Sequence, residues 1–245
     1  MSAQGSCSPG GSRPRRRAGE WCPVSSPSPE AAHGTTPLPP RSRVILLAGP
    51  SGSGKSSLAA HSGLPVLVLD DFYKDGDDPT LPLLPGSTAV DWDAPGSWHA
   101  AAAVAAVAEL CARGATDTPV YDIAASAATG RAHLDLRGAP VFVAEGIFAA
   151  EIAERCRELG LLADALCLRG RPTTTARRRF LRDLREGRKS VPFLIRRGLH
   201  LLRAERAIVA RQIALGCHPC AQPEARLRIT AAAATRTPAA VPVDA

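Results

Sequence analysis

Apolar residues in this chain gather into short unbroken runs separated by mixed, turn-rich stretches. Val44-Ile45-Leu46-Leu47-Ala48, Pro65-Val66-Leu67-Val68-Leu69, Val141-Phe142-Val143-Ala144 and Ala165-Leu166-Cys167-Leu168 are four such runs. Continuous rather than alternating apolar runs predict strands buried on both faces of a parallel sheet. Helical patterns lie between and after them. A short helix opens at Ser57-Leu58-Ala59-Ala60, and an alanine-rich one runs from a Ser97 cap to about Ala112, with Gly114 past its end. Another, near 149–159, stops at Gly160, and two more, about 172–186 and 191–214, are broken around Gly187 and Pro192. Residues 74–96, rich in Pro, Gly and Asp, read as a long surface excursion. Val120-Tyr121-Asp122 reads as a short extended piece followed by a polar turn through Gly130, and 226–230 as a weak strand. Strands alternating with helices predict an α/β fold, with ligands outside the carboxyl ends of the strands.

The first run leads into Gly49-Pro50-Ser51-Gly52-Ser53-Gly54-Lys55-Ser56, which matches G-x-x-x-x-G-K-[ST]. This spacing has a mechanism. Glycines let successive backbone N–H groups turn inward on a phosphate chain, the lysine reaches the β and γ oxygens, and the serine hydroxyl takes a Mg²⁺ position. The helix that follows aims its positive end at the anion. Gly49, Ser51, Gly52, Ser53, Gly54, Lys55, Ser56 and Ser57 are therefore the expected ATP-binding residues. The chain has three lysines against 27 arginines, which makes a lysine at this position the more pointed.

Two carboxylate positions bear on what the nucleotide is used for. The second run ends in Asp70-Asp71 and the third in Glu145-Gly146, so three of the four strands end in something chemical. Phosphoryl transfer to an alcohol needs a base near the hydroxyl, a metal bridging the phosphates and cations over the transferring group. Asp70 suits the base, Glu145 a Mg²⁺ held through water, and the arginines of 177–188 a clamp on the phosphates.

Composition narrows the picture. The chain has 245 residues and a net charge of +7, but residues 169–211 alone carry +11 and the remainder −4. Residues 1–42, rich in Pro, Ser, Gly and Arg, read as an unstructured tail, as does the Ala/Pro stretch 231–245, leaving 43–230 as one folded domain. No apolar stretch approaches the roughly 20 residues that cross a bilayer, and no apolar segment follows the N-terminal arginines as in a secretory signal. Seven irregularly spaced cysteines fit a reducing, cytoplasmic setting.

Six landmarks occur in order: the Gly49–Ser56 loop, Asp70-Asp71-Phe72-Tyr73-Lys74, Trp92-Asp93-Ala94-Pro95, Pro119-Val120-Tyr121-Asp122, Glu145-Gly146-Ile147 and Arg178-Arg179-Phe180-Leu181-Arg182-Asp183. Together they resemble the uridine/cytidine kinase family of P-loop kinases, over roughly residues 43–230. The resemblance implies a three-layer P-loop NTPase fold with a parallel sheet and a helical, arginine-rich lid. It also implies ATP- and Mg²⁺-dependent phosphorylation of a nucleoside 5′-hydroxyl, as in pyrimidine salvage. In its terms Asp70 is the base and acts with Lys55. Tyr73, Asp93 and Tyr121 line the nucleoside pocket, where a carboxylate bonds the ribose diol and aromatic rings hold the base. Ser56 and Glu145 serve the metal, and Arg178, Arg182 and Arg188 contact phosphates.

The chain departs from that family in four places. Ile123–Ala128 replaces the H-S-R-like run that helps read the pyrimidine, with no His or Arg until Arg131 and His133. Asp71 stands for a small hydroxyl residue, Thr175 for the first lid arginine, and the family's last helix has no evident counterpart. The acceptor is thus less directly implied than the chemistry, and another small alcohol stays open.

Other readings have weaker support. The basic block is interleaved with apolar residues at helical spacing and few aromatics, which favours a lid over a nucleic-acid footprint. A guanine-reading N-K-x-D motif is excluded, because the chain contains no asparagine. A nucleic-acid-binding ATPase normally shows two adjacent acids where this chain has Glu145-Gly146. Cys217-His218-Pro219-Cys220 has half-site spacing for zinc, without a second pair at a suitable distance. The partners expected are ATP and a nucleoside-like hydroxyl acceptor, with no membrane, and an assembly of identical copies is compatible with them.

Overall fold

The computed structural model describes residues 40–169 and 206–235. Five strands, β1 (Arg43–Ala48), β2 (Val66–Val68), β5 (Val141–Glu145), β6 (Leu162–Leu168) and β7 (His218–Cys220), form a parallel sheet in the order β2-β5-β1-β6-β7. The unbroken apolar runs explain the centre: β5 is buried throughout and β1 from Val44 onward. Val44, Leu46 and Ala48 face one side with Phe142 and Ala144, and Ile45 and Leu47 face the other with Val141 and Val143.

Each face is covered by helices, giving three layers. One face carries α2 (Ala100–Arg113), α3 (Ala153–Glu158) and the helical stretch 206–214; the other carries α1 (Lys55–Ala60) and α4 (Gln222–Ala234). The alanine-rich α2 buries Ala103, Ala106, Val107, Leu110 and Cys111, the i, i+3, i+4, i+7 stripe of an amphipathic helix. It ends where Gly114 N–H closes on the Leu110 carbonyl. Ser97 does not cap it: its hydroxyl turns back onto the Trp92 and Ala94 carbonyls, and His99 occupies the cap position.

Register aligns the strand ends. Val68 pairs with Glu145, Glu145 with Leu47 and Leu47 with Leu166, so β2, β5, β1 and β6 finish in one row. From β1 the chain crosses to β2 on one side, and from β6 to β7 on the other. The crevice above their carboxyl ends is the topological switch point where open α/β sheets take their ligands.

Four elements differ from the sequence pattern. Residues 226–230 are not a strand: α4 runs from Gln222 to Ala234, and so reaches beyond Ala231. Pro223 sits in its first turn, where its missing N–H costs nothing. Ala225, Ile229 and Ala232 face the sheet at helical spacing while Leu227 is 72% exposed, and Arg228 clasps Asp164 of β6 through two bonds of 2.9 and 3.1 Å. The fifth strand, His218–Cys220, is only three residues long and has no apolar run to announce it. The polar turn after Val120–Asp122 is in fact a hairpin, β3 (Ala115–Asp122) with β4 (Ala127–Asp135). β4 has no buried residue, so no hydrophobic pattern marks it, and ladder bonds to β3 hold it. The second run is shorter than expected, since Leu69–Phe72 is a 3₁₀ turn and Val68 is 39% exposed at the sheet edge. The helix expected from 172 to 186 and the first part of that from 191 to 214 lie outside the described residues.

Among the described residues no helix is long and apolar enough to cross a membrane. Phe142, with no exposure, sits at the centre of the sheet. Phe142→Ala should lower the free energy of unfolding by about 3–5 kcal/mol, whereas Leu227→Ala should change it by no more than about 0.5 kcal/mol. Urea denaturation of the two variants tests this.

Candidate active site

The loop after β1 turns sharply at Gly49. Its φ of 149° lies in the region L side chains rarely adopt, and a Cβ there would meet the Leu168 carbonyl oxygen at 2.7 Å and Ser53 Oγ at 2.9 Å. Only glycine lets the loop pass this close to the end of β6. Ser53 N–H bonds the Pro50 carbonyl at 3.1 Å, and Gly54 caps α1, so Lys55 opens the helix with Ser56 and Ser57 exposed beside it. The first N–H groups of any helix have no intrahelical partner, and here they border the loop.

Lys55 is 7% exposed, its ammonium folded back onto the Gly49 and Pro50 carbonyls at 2.9 and 3.3 Å. Burial pulls its pKa below the ordinary lysine value, opposed by the charge of Asp70 and then of Glu145. The Asp70 carboxylate, on the 3₁₀ turn after β2, accepts the Ile147 N–H at 3.3 Å. Its burial pushes its pKa up, against the pull of Lys55 and of that N–H. Glu145, 4% exposed at the end of β5, is likewise pushed up by burial, opposed by a bond from the Ser56 hydroxyl and by Lys55.

Lys55, Ser56, Asp70 and Glu145 are thus brought together from three elements. Gly146 permits the approach of two of them: a Cβ at that position would stand 2.8 Å from Asp70 Oδ1 and 2.9 Å from the Leu69 Cβ.

Glu145 Oε2 is buried and has no hydrogen-bond partner among the described residues. A bare buried carboxylate oxygen beside a serine hydroxyl suits a hard divalent cation that keeps several waters. The donor set fits Mg²⁺.

Next to Asp70 stands a group of rings. Tyr73 lies 5.8 Å from each of Trp92, Tyr121 and Phe148, and Trp98 stacks on Phe148 at 5.4 Å, buried in the core. Burial raises the Tyr73 phenol, with Asp70 and then Asp93 adding to the effect. Tyr73, Asp93 and Tyr121 therefore belong to one neighbourhood bordering Asp70. Phe148 and Trp92 complete it, and no spacing rule in the sequence singles out Phe148.

Asp71 has a structural use that sequence reading missed. Its Oδ1 accepts the Tyr121 N–H at 3.2 Å, and Asp75 Oδ1 accepts the Ala128 N–H at 2.8 Å. Gly76 N–H to the Ser126 carbonyl and the Tyr121 hydroxyl to the Lys74 carbonyl add two more ties. The hairpin is thereby fastened to the segment that carries Asp70 and Tyr73.

Arg131 and His133 both engage Asp117 on the neighbouring strand, further along the hairpin from its tip. The candidate phosphate contacts Arg178, Arg182 and Arg188 lie outside the described residues. Cys217 and Cys220 are buried thiols, pushed up to about 12 and about 11 by burial.

No protein-family profile matches the chain, and no curated protein matches it in sequence. Solved structures do match in fold. A protein provisionally named a fructose transport system kinase, from Silicibacter sp. TM1040, superposes with a TM-score of 0.50 at 23% identity, over 71% of this chain and 87% of that one. The YGR205w protein gives 0.43 at 16% identity over 74% and 86%. A protein provisionally named a uridine kinase, from Bacillus stearothermophilus, gives 0.38 at 17% over 55% and 74%. The first of these carries the comparison. The chain has an α/β architecture built on a five-stranded parallel sheet, and in fold it is like that structure.

Gly146→Ala tests the close approach of β5 to Asp70. The added methyl should cost about 1–3 kcal/mol of stability, read from the urea midpoint.

Proposed function

We propose that this chain is a P-loop kinase that transfers the terminal phosphoryl group of ATP, with Mg²⁺, to a hydroxyl of a small molecule. The observation that carries the reading is the convergence of Lys55, Asp70 and Glu145 on one crevice above the strand ends. A hydrolase or a switch needs the phosphate loop and a metal site. A second, half-buried carboxylate beside the lysine, with aromatic rings next to it, is what an alcohol acceptor requires.

In this reading the loop N–H groups and Lys55 hold the phosphates, the lysine exchanging its carbonyl contacts at Gly49 and Pro50 for phosphate oxygens. Ser56 and Glu145 hold Mg²⁺, which when bound neutralises charge on those oxygens. Asp70 accepts the proton of the attacking hydroxyl, and its raised pKa brings it toward the range where a base is effective. Lys55, drawn toward the phosphates, also keeps Asp70 from being protonated outright. The arginines Arg178, Arg182 and Arg188 would close over the phosphates.

For the acceptor we propose a nucleoside-like alcohol, most simply the 5′-hydroxyl of uridine or cytidine. Asp93 would take the ribose diol, and Tyr73 and Tyr121 the base. The hairpin turn favours a second reading, a different small alcohol. Residues 123–126 present only apolar side chains and one serine, and Ile123 is 84% exposed, so nothing in that turn offers a pyrimidine a charged or amide partner.

A panel of pyrimidine and purine nucleosides, fructose and other small polyols, each with ATP and Mg²⁺, separates the possibilities. Acceptor-dependent ADP release is expected for one class. Equal release with and without every acceptor would favour an ATPase instead. Asp70→Asn should abolish transfer, by about 10³-fold or more, while ATP still binds. Lys55→Ala should weaken both binding and transfer. The rate should rise with pH as Asp70 loses its proton, with an acid limb above the ordinary carboxylate range because burial raises that group. A flat profile through this range would remove Asp70 as the base.

A further inference from the structure

Gln212 is a polar side chain sealed inside the protein at 3% exposure, and both ends of its amide are used. Its Nε2 donates to the Ile147 carbonyl at 2.9 Å, and its Oε1 accepts the Cys167 thiol at 3.2 Å. These bonds join three elements far apart in sequence: the helical stretch 206–214, the turn after β5 and the end of β6. An apolar side chain could fill this volume without needing partners, whereas a buried amide must find them. What the glutamine adds over a hydrophobe is direction.

The direction matters because of what Ile147 does next. Its N–H is the hydrogen bond to Asp70 Oδ1, a long one at 3.3 Å, so a shift of a few tenths of an ångström would break it. The turn has little stiffness of its own at this point: the bonds Gly146 N–H to Leu47 and Ala149 N–H to Gly146 are both 3.3 Å as well. One residue before Gln212, Arg211 holds Glu151 through two bonds of 2.8 and 3.0 Å, which keeps the helical stretch in register over the turn.

We propose that Gln212 is a positioning residue for the candidate base: anchored by Cys167, it grips residue 147 and thereby fixes the N–H that holds the Asp70 carboxylate in the crevice. Its part in catalysis rests on the kinase reading given above, but its mechanical part does not. Gln212→Met keeps the length and removes both bonds; Cys167→Ala removes the anchor alone and serves if the first variant does not fold.

Two measurements on the full chain test the proposal. Amide hydrogen exchange at Ile147, referred to the Leu46 amide in β1 as a monitor of global opening, should quicken about tenfold in Gln212→Met and by less in Cys167→Ala. Steady-state kinetics with the acceptor found by the panel should show kcat falling about tenfold with the KM for ATP within about twofold. Loss of packing alone would instead quicken both amides together. Exchange at Ile147 that stays at the wild-type rate in a folded variant, or a kcat that holds while exchange quickens, overturns the proposal. If the unsubstituted chain transfers no phosphate to any acceptor, the kinase reading fails, and the exchange rates alone then decide the mechanical role of Gln212.

Discussion

The chain concentrates a cation and two carboxylates at the dry end of an apolar sheet. Lys55 and Glu145 are almost fully buried and Asp70 half-buried, and for all three burial is the largest influence on the proton equilibrium, each pushed toward its neutral form. Charges removed from water are tolerated only when other charges and hydrogen bonds replace the solvent. Here they replace it for one another, with the Gly49 and Pro50 carbonyls, the Ser56 hydroxyl and the Ile147 N–H completing the set. Such a cluster adds little to stability. The surrounding fold supplies the free energy that keeps it assembled.

Much of the remaining architecture follows from that requirement. The ends of β2, β5 and β1 must finish in one row, which parallel register achieves without a loop crossing the crevice. Two glycines allow the closest approaches, Gly49 against β6 and Gly146 against the Asp70 turn. The two helical layers bury the sheet on both faces, so Lys55, Asp70 and Glu145 meet in the crevice at the carboxyl ends of its strands.

The hairpin extends the same logic outward. Asp71 and Asp75 fasten it to the segment bearing Asp70 and Tyr73, so the rings bordering the crevice and the carboxylate beside them are held as one piece. An acidic residue directly after Asp70 is then understandable as a tie to the Tyr121 N–H.

What the amino-acid order determined by itself was the sheet and its loop. Unbroken apolar runs have one economical use in a chain of this size, as strands covered on both sides, and the Gly49–Ser56 spacing carries its own backbone geometry. Hence β1, β5, β6 and the loop were legible, as was the meeting of Lys55, Asp70 and Glu145 in space, because strand ends in a parallel sheet share one edge. Tertiary structure decided the rest. The exposed β4 has no hydrophobic signal to read, and its strand state comes from ladder bonds to β3. Residues 226–230 alternate in sequence as well as any edge strand, yet Ile229 and Ala232 find the sheet at helical spacing and Arg228 finds Asp164. The linkage from Cys167 through Gln212 and Ile147 to Asp70 spans elements whose adjacency exists only once the layers have packed, and no local pattern encodes a hydrogen bond between residues so far apart along the chain.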